Sequence, residues 1–477
     1  MKFYSILSIF LILLGCGPGQ KPTTQVERPN ILWICVEDLN PLFGCYGALS
    51  TTPVVDSLAS QGVLFKNAFA TTAVCSPSRS ALITGMMPTS IGAHNHRSHI
   101  KDSSWIHLPE HISTIPEQFR QANYFTFNQH YDGHAGKEDY NFYYQWDSLF
   151  SKVPEVPPSE ESFWEEVVDR QPFYGQIQLA GGKIDAPWDS TFPSAQMQML
   201  PYYPDTPFFR KMYEEHHMQA QRTDMEVGKI LSAMRAHGLL ENTVVFFYTD
   251  HGWKDGIRHK QFCYDGGLHV PLVVSWEGNQ KAIHGGTPRT DLVSLIDVSA
   301  SSLALAGLPI PEYMEGRNLF AENYQPREFV IGTRDRMDYT IDYIRTVRTD
   351  QYRYIKNYMP ERPWLQPQYR DTHAFMMEIR RLYKAGKLNN VQSQFFAETK
   401  PKEEFYDHEN DPYEINNLIN DPAYQDEIER HREILNEWVE KTNDQGQYPE
   451  STDALRNIYE RWGAKCVNPE YNQFRES

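Results

Sequence analysis

Between Cys75 and Gly85 the chain reads CSPSRSALITG, which puts a thiol and a guanidinium one helical turn apart, at what Pro77 marks as a helix start. The N–H groups of a helix's first turn, with the dipole behind them, favour a bound anion. The planar fork of Arg79 can hold that anion and the group at position 75 together. The chemistry outlined is anion chemistry. Taken alone, a cysteine beside an arginine reads as a small buried hydrophobe. Two acidic pairs change the weighing: Glu37-Asp38 and Asp250-His251 each close an apolar run. Carboxylate oxygens in this number suit Ca²⁺ or Mg²⁺ better than a soft metal, although acidic residues after a single strand are commonly helix caps.

The runs that must position these groups are ILWICV at 31–36 and VVFFY at 244–248. Continuous apolar runs without alternation suit strands buried on both faces of a parallel sheet, and the carboxyl ends of such strands are where open α/β sheets gather ligands. Two acidic strand ends can therefore meet at one site. Thr52 and Pro53 read as the cap and first residue of a helix running to Gly62, after which 63–69 resumes strand character, giving β-α-β spacing. A longer helix follows Thr206 and Pro207, with an apolar stripe that reads as core packing, and closes at Gly238. Residues 141–205 are rich in prolines and aromatics, show no period and read as an irregular insertion of the kind that builds binding loops. Beyond residue 335 short polar-aromatic strands at 343–348, 352–356 and 404–407 precede an amphipathic helix at 425–442, which predicts a small antiparallel sheet with a helix on it. The fold class expected is α/β: a large, mostly parallel sheet flanked by helices, with a smaller C-terminal antiparallel sheet.

At 477 residues with 13% aromatics the chain can bury one large core and a smaller second unit. A formal charge of −17 with no basic stripe excludes a nucleic-acid partner, so an anionic substrate must be caught by local positive groups. Lys2, the apolar residues 3–14 and the sequence LLGC ending at Cys16 resemble a bacterial lipoprotein signal, with Cys16 as the lipidated residue. The apolar run is too short for a standard spanning helix. The expected organisation is a signal at 1–16, a tether at 17–28, a catalytic domain at 29–335 and a C-terminal subdomain at 336–477. The expected address is the cell envelope, anchored by lipid in the outer membrane and facing the periplasm. Cys35, Cys45, Cys263 and Cys466 remain, and in an oxidising compartment some of them could pair; Cys35, within an apolar run, is more simply a core residue.

The stretch from Cys75 to Gly85 closely resembles C-x-P-S-R-x-x-x-[L/M]-T-G, the signature of the formylglycine-dependent sulfatases of the alkaline-phosphatase-like superfamily. Ile83 is its one mismatch. The resemblance runs from Arg28 to DPYEINNL at 411–418, and its flavour is nearest to bacterial polysaccharide sulfatases and heparan N-sulfatase-like members. It implies that Cys75 is oxidised by a formylglycine-generating maturation enzyme to an aldehyde whose hydrate attacks sulfur. It also implies a divalent cation, usually Ca²⁺, held by Glu37, Asp38, Asp250, His251 and residue 75, with Glu37 departing from the usual aspartate. Lys137, in GKEDYNF, and Lys260, in HKQFCYDGG, match the family's sulfate-binding lysines, and Asp139 stands where many members carry a histidine.

Sulfate-ester cleavage needs positive charge on the non-bridging oxygens, an activated nucleophile and a proton for the leaving oxygen. The histidine many members place after the strand matching FYGQIQ at 173–178 is absent, and Lys183 takes its place. His94 and His96, in GAHNHR ending at Arg97, are substitutes for the missing acid and, with Arg97 and Lys183, candidates for the cleft wall. The expected activity is hydrolysis of sulfate esters on a sulfated oligosaccharide or polysaccharide. The rivals are a phosphoesterase or phosphonate hydrolase of the same superfamily, and an inactive sulfated-glycan-binding lipoprotein.

Overall fold

The structure is a computed structural model and describes residues 28–98, 106–184 and 192–475; Cys16 lies outside the described residues. No described helix is long and apolar enough to cross a membrane. Seven strands form the larger sheet: β1 (Asn30–Val36), β2 (Val63–Phe69), β3 (Phe125–His130), β4 (Phe173–Leu179), β5 (Thr243–Thr249), β6 (His269–Trp276) and β7 (Arg289–Ser294). Their order is β3-β4-β1-β5-β6-β2-β7. The block β3, β4, β1 and β5 is parallel throughout, whereas β6 runs antiparallel to both neighbours.

Every residue of β1, β4 and β5 is buried. Ile31, Trp33 and Cys35 pack into the layer that holds α2 (Cys75–Thr84) and the helix Asp297–Leu305, while Leu32, Ile34 and Val36 pack under α1 (Pro53–Gln61) and the helix Pro207–Ala236. Both faces are covered, so a strand with period-2 side chains reads as one apolar run. Trp33 stands edge-on to Tyr174 and Tyr248 of the flanking strands, at 5.2 and 5.9 Å, and donates its indole N–H to Ser302 Oγ at 2.8 Å. That contact clamps β4, β1 and β5 together beneath the acidic strand ends.

The expected β-α-β run is present as β1, α1 and β2, with β5 and β6 lying between the two strands in the sheet; spacing says that a helix returns the chain, not which strand it returns to. One expectation needs correcting. Residues 141–205 are not one irregular insertion: they hold the helices Trp146–Leu149 and Glu161–Val167 and the interior strand β4. Gln176 and Gln178 mask that strand's apolar run, yet both are buried and mutually hydrogen-bonded, and Gln178 also donates to Asn128 at 3.0 Å. The described cysteines, Cys35, Cys45, Cys75, Cys263 and Cys466, are all free, so the pairing left open for four of them does not occur.

The smaller sheet is antiparallel, ordered β11-β10-β9-β8 from β8 (Val330–Arg334), β9 (Ile344–Arg348), β10 (Tyr352–Asn357) and β11 (Glu403–Asp407). It therefore starts ahead of residue 335. Ile428 and Leu435 of the helix Gln425–Thr442 pack on Val347, Tyr354 and Phe405. Thr333 of β8 donates its N–H to Thr71 at 2.8 Å, which ties this sheet to the segment entering α2. Arg345 of β9 is fully buried and holds Asp335, at 3.0 Å, and Asp444, at 2.6 Å. Arg345→Met would leave two buried carboxylates without their cation, a loss of about 3–5 kcal/mol. A large drop in the thermal unfolding midpoint is the expected result; an unchanged midpoint would mean that this bridge does not hold the C-terminal unit in place.

Candidate active site

Four adjacent parallel strands deliver one functional segment each from their carboxyl ends. Glu37 and Asp38 follow β1, Asp250 and His251 follow β5, Lys183 follows β4 and Lys137 lies in the loop after β3. The register sets Val36 opposite Thr249, so the two acidic pairs leave the sheet side by side and the Asp38 N–H donates to Asp250 Oδ1 at 3.1 Å. Helix α2 comes up beneath them with Cys75 in its first turn. Its serines satisfy their own hydroxyls inside the core: Ser78 Oγ donates to the Asp250 carbonyl at 2.7 Å and Ser80 Oγ to the Ser76 carbonyl at 2.7 Å. The run CSPSRSA is thus a helix that can be buried on all sides.

Around Cys75 Sγ stand His251 Nε2 at 3.2 Å, Lys260 Nζ at 3.4 Å, Lys183 Nζ at 3.7 Å and Asp38 Oδ1 at 3.8 Å. Lys260 also grips Asp38 at 2.8 and 3.1 Å. Arg79 reaches Asp250 at 3.2 Å, Glu37 at 3.5 Å and the Gln178 side-chain Oε1 at 2.8 Å, so its fork spans β1, β5 and β4. Lys137 pairs with Glu37 at 3.1 Å, and Lys183 pairs with the other oxygen of the same carboxylate. Burial pushes the Cys75 thiol up, but Lys137, Lys183 and Lys260 outweigh it and bring the thiol down to about 6. Burial likewise opposes ionisation of Asp38, and Lys183, Lys260 and His251 nevertheless hold its carboxyl well below the usual range.

Two glycines explain how Lys183 arrives. Gly181 has φ +51, and a Cβ on Gly182 would lie 2.0 Å from the Asp38 carbonyl oxygen, so only glycine lets the turn after β4 pack on the Glu37-Asp38 backbone. The Gly182 N–H donates to the Glu37 carbonyl at 2.8 Å. Asn40, which the sequence reading missed, seats the loop carrying Lys260: its side-chain oxygen lies 3.0 Å from the Trp253 N–H and from His259 Nδ1, and its amide donates to the Gly266 carbonyl at 2.9 Å. Gln178 was missed as well, since a glutamine in a strand carries no signal until its partner Arg79 is located.

The ligand atoms of Asp38, Cys75, Asp250 and His251 all lie within 4.8 Å of one another. Two hard carboxylates, an imidazole and the group at position 75 fit a divalent cation of the Ca²⁺ or Mg²⁺ class. Glu37 stands outside that four-residue group, engaged by Arg79, Lys137 and Lys183. The other described cluster of this type, Asp265, His408 and Glu414, is claimed by Arg353, whose Nε lies 2.5 Å from Glu414.

Two expected contacts fail. His94 does not face Cys75. It lines a cavity of about 280 Å³ with Asp335, Arg336 and Tyr343, residues of the C-terminal unit, and burial lowers its pKa. His96 is 1% exposed and is paired with Asp338 at 3.2 Å. Arg97 stays at the rim, one-third exposed, with its N–H on Ser76 Oγ at 3.1 Å.

With this geometry in hand, likeness to known proteins can be weighed. Residues 29–308 match the family model described as Sulfatase, which is more than half of the chain. The chain belongs to the sulfatase family. It is a sulfuric ester hydrolase. Residues 249–400 of this sulfatase also match the model described as N-sulphoglucosamine sulphohydrolase, C-terminal. It is 30% identical to an ulvan-active sulfatase of Formosa agariphila over 94% of this chain and 83% of the relative. Among solved structures, a 2-O GAG sulfatase superposes with a TM-score of 0.62 at 19% identity, covering 90% of this chain and 96% of the other. A phosphonate monoester hydrolase of Agrobacterium radiobacter also scores 0.62, at 16% identity over 87% and 96%. At these identities the structures show the shared fold, alkaline-phosphatase-like; the family is decided by the sequence match.

The glycine pair gives a direct check on the site's assembly. Gly182→Ala should displace Lys183 by an ångström or more and lower kcat by about 10²-fold. Unaltered turnover would show that the close approach to Asp38 does not seat the lysine.

Proposed function

We propose that this sulfatase removes sulfate from a sulfated saccharide, with a formylglycine made from Cys75 and a Ca²⁺ ion at the Asp38, Asp250 and His251 cluster. The observation that carries the reading is the convergence of Lys183 and Lys260 on the atom at position 75, with Lys137 on the adjoining Glu37, above a cation-type ligand set. The ulvan-active relative supports a saccharide as the bearer of the sulfate.

An aldehyde hydrate at position 75 would supply one hydroxyl to attack sulfur as the S–O bond to the alcohol breaks, its proton passing to that alcohol, and a second whose collapse would break the C–O bond to sulfate and release a proton to water, a further water re-forming the hydrate. The chain's own residues do the rest. Arg79 holds Asp250 and Glu37 in place from below. Lys260 and Lys183 lie where charge builds on the sulfate oxygens, and a buried low-dielectric setting makes that charge count. Lys183 is held protonated by Asp38, residue 75 and Glu37 despite its burial, which suits it to stabilising negative charge and makes it a poor proton donor. The cation, when bound, supplies Lewis-acid polarisation at position 75.

We further propose, from the sequence around Cys16, that the enzyme is a lipid-anchored envelope protein working in the periplasm. Loss of membrane partition in a Cys16→Ala variant, with soluble activity kept, is the expected outcome.

Three measurements test the site. Intact and peptide mass after native expression should show position 75 as an aldehyde, and Cys75→Ala should fold but lack turnover; equal activity in that variant would sink the mechanism. Lys137→Ala and Lys260→Ala should each lower kcat by about 10²–10³-fold, whereas a change in KM alone would make them binding residues only. Prolonged chelation should abolish activity and calcium should restore it, while recovery with zinc but not calcium would contradict the ion assignment.

A further inference from the structure

One cation at the rim is not used by the reacting centre. Arg97 pairs with Asp338 at 3.2 Å, whereas Arg79, Lys137, Lys183 and Lys260 are all engaged by Glu37, Asp38 or Asp250. Its place is fixed from the nucleophile's side, because the Arg97 N–H donates to the hydroxyl of Ser76, next to residue 75. Cys75, Asp139 and Tyr369, from three separate segments, act on its charge. The backbone of Arg97 is thereby fixed against the residue that adjoins position 75, and its side chain is one-third exposed.

The mount is unusually firm for a rim residue. Asp338 is 1% exposed and is flanked on its second oxygen by His96, also 1% exposed, at 3.2 Å. The hairpin that presents Asp338 is closed by reciprocal hydrogen bonds between Met337 and Thr340, at 2.9 and 3.0 Å. Arg336 locks that hairpin to the 94–97 segment: it donates to the His96 carbonyl at 2.9 Å and the Asp338 carbonyl at 2.6 Å, and its far edge is held by Glu450 at 2.6 Å. On the other side Asn141 donates to the carbonyls of Ala93 and Asn95 at 3.0 and 2.6 Å. Arg97 and Asp338 both hold left-handed backbones, φ 57 and φ 49, a conformation that costs roughly 1 kcal/mol or more for such residues and persists where the surroundings over-determine it. All of this fixes one exposed guanidinium, which spends NH1 on Asp338 and remains 34% open to solvent.

Resting on the saccharide-sulfatase reading, we propose that Arg97 recognises a second anionic group on the substrate, a carboxylate or a further sulfate carried beside the scissile one. A fork-shaped cation anchored, among the described residues, through NH1 alone matches a planar or tetrahedral oxyanion with two parallel hydrogen bonds. It also answers a global problem, since a chain of net charge −17 repels polyanions except where a local cation is set at the mouth. Asp338 is then a positioning residue, with His96 and Arg336 behind it.

The test uses the full-length matured enzyme and three sulfated disaccharides that share the scissile sulfate: one with no other anion, one with a carboxylate, one with a second sulfate. Wild type should prefer a dianionic substrate. Arg97→Gln should lower the ratio of kcat/KM for that substrate over the monoanionic one by about 10–100-fold. Arg97→Lys should recover only part of it, and Asp338→Asn should raise KM for the dianion with kcat little changed. Loss confined to the carboxylate or to the second-sulfate arm names the group read. An equal factor on all three substrates, or no wild-type preference, overturns the proposal and leaves the saccharide reading intact. Cleavage of 4-nitrophenyl sulfate with none of the disaccharides would overturn the saccharide reading itself.

Discussion

Three carboxylates, those of Glu37, Asp38 and Asp250, are buried at the ends of two adjacent parallel strands, and most of the catalytic half is arranged to make that tolerable. A buried carboxylate without a partner costs several kcal/mol, so each must be met by cations at close range. No single neighbouring element can supply them. Arg79 comes from helix α2, Lys137 from beyond β3, Lys183 from beyond β4 and Lys260 from the loop between β5 and β6. The order β3-β4-β1-β5 places those strand ends side by side. The same cations surround position 75, so charge that stabilises the folded state also stands ready for a sulfate group. Stability and reactivity draw on one set of contacts.

The second sheet extends this scheme outward. Its first strand is tied to the segment entering α2 through Thr333 and Thr71, and Arg345 binds it to the chain around Asp444. Glu414, in the DPYEINNL stretch, accepts from the Asp265 N–H at 2.8 Å and pairs with Arg353, which joins β10 to the turn before β6. The C-terminal unit thus holds two residues of the 94–97 segment, since Asp338 engages both His96 and Arg97. A phosphonate hydrolase shares the overall fold at the same TM-score as a sulfatase, so architecture alone does not choose between sulfur and phosphorus chemistry. That choice lies with the residues at the strand ends.

Much of this was legible in the sequence because it is local. An apolar run covered on both faces announces a central strand, Pro53 and Pro77 mark helix starts, and the signature from Cys75 to Gly85 carries its own spacing. The pairs Glu37-Asp38 and Asp250-His251, with Cys75, Arg79, Lys137 and Lys260, were found this way and do converge. Periodicity left strand β4 unmarked, since Gln176 and Gln178 interrupt its apolar run, and only the family resemblance put a strand at 173–178. Histidines were misjudged for a related reason. His94 and His96 lie close in sequence to the signature, but His94 shares a cavity with Asp335 and His96 sits 3.2 Å from Asp338, acidic residues more than two hundred positions away along the chain. Sequence determines which chemical groups exist and how neighbours within a turn or a strand face; long-range electrostatics and packing decide which of them share a cavity. The sequence by itself therefore determined the fold class, the family signature at Cys75 and the groups offered to the site, Lys183 and Arg97 among them, while only the tertiary structure decided that Lys183 comes within 3.7 Å of the atom at position 75 and that Arg97 is tied to Asp338.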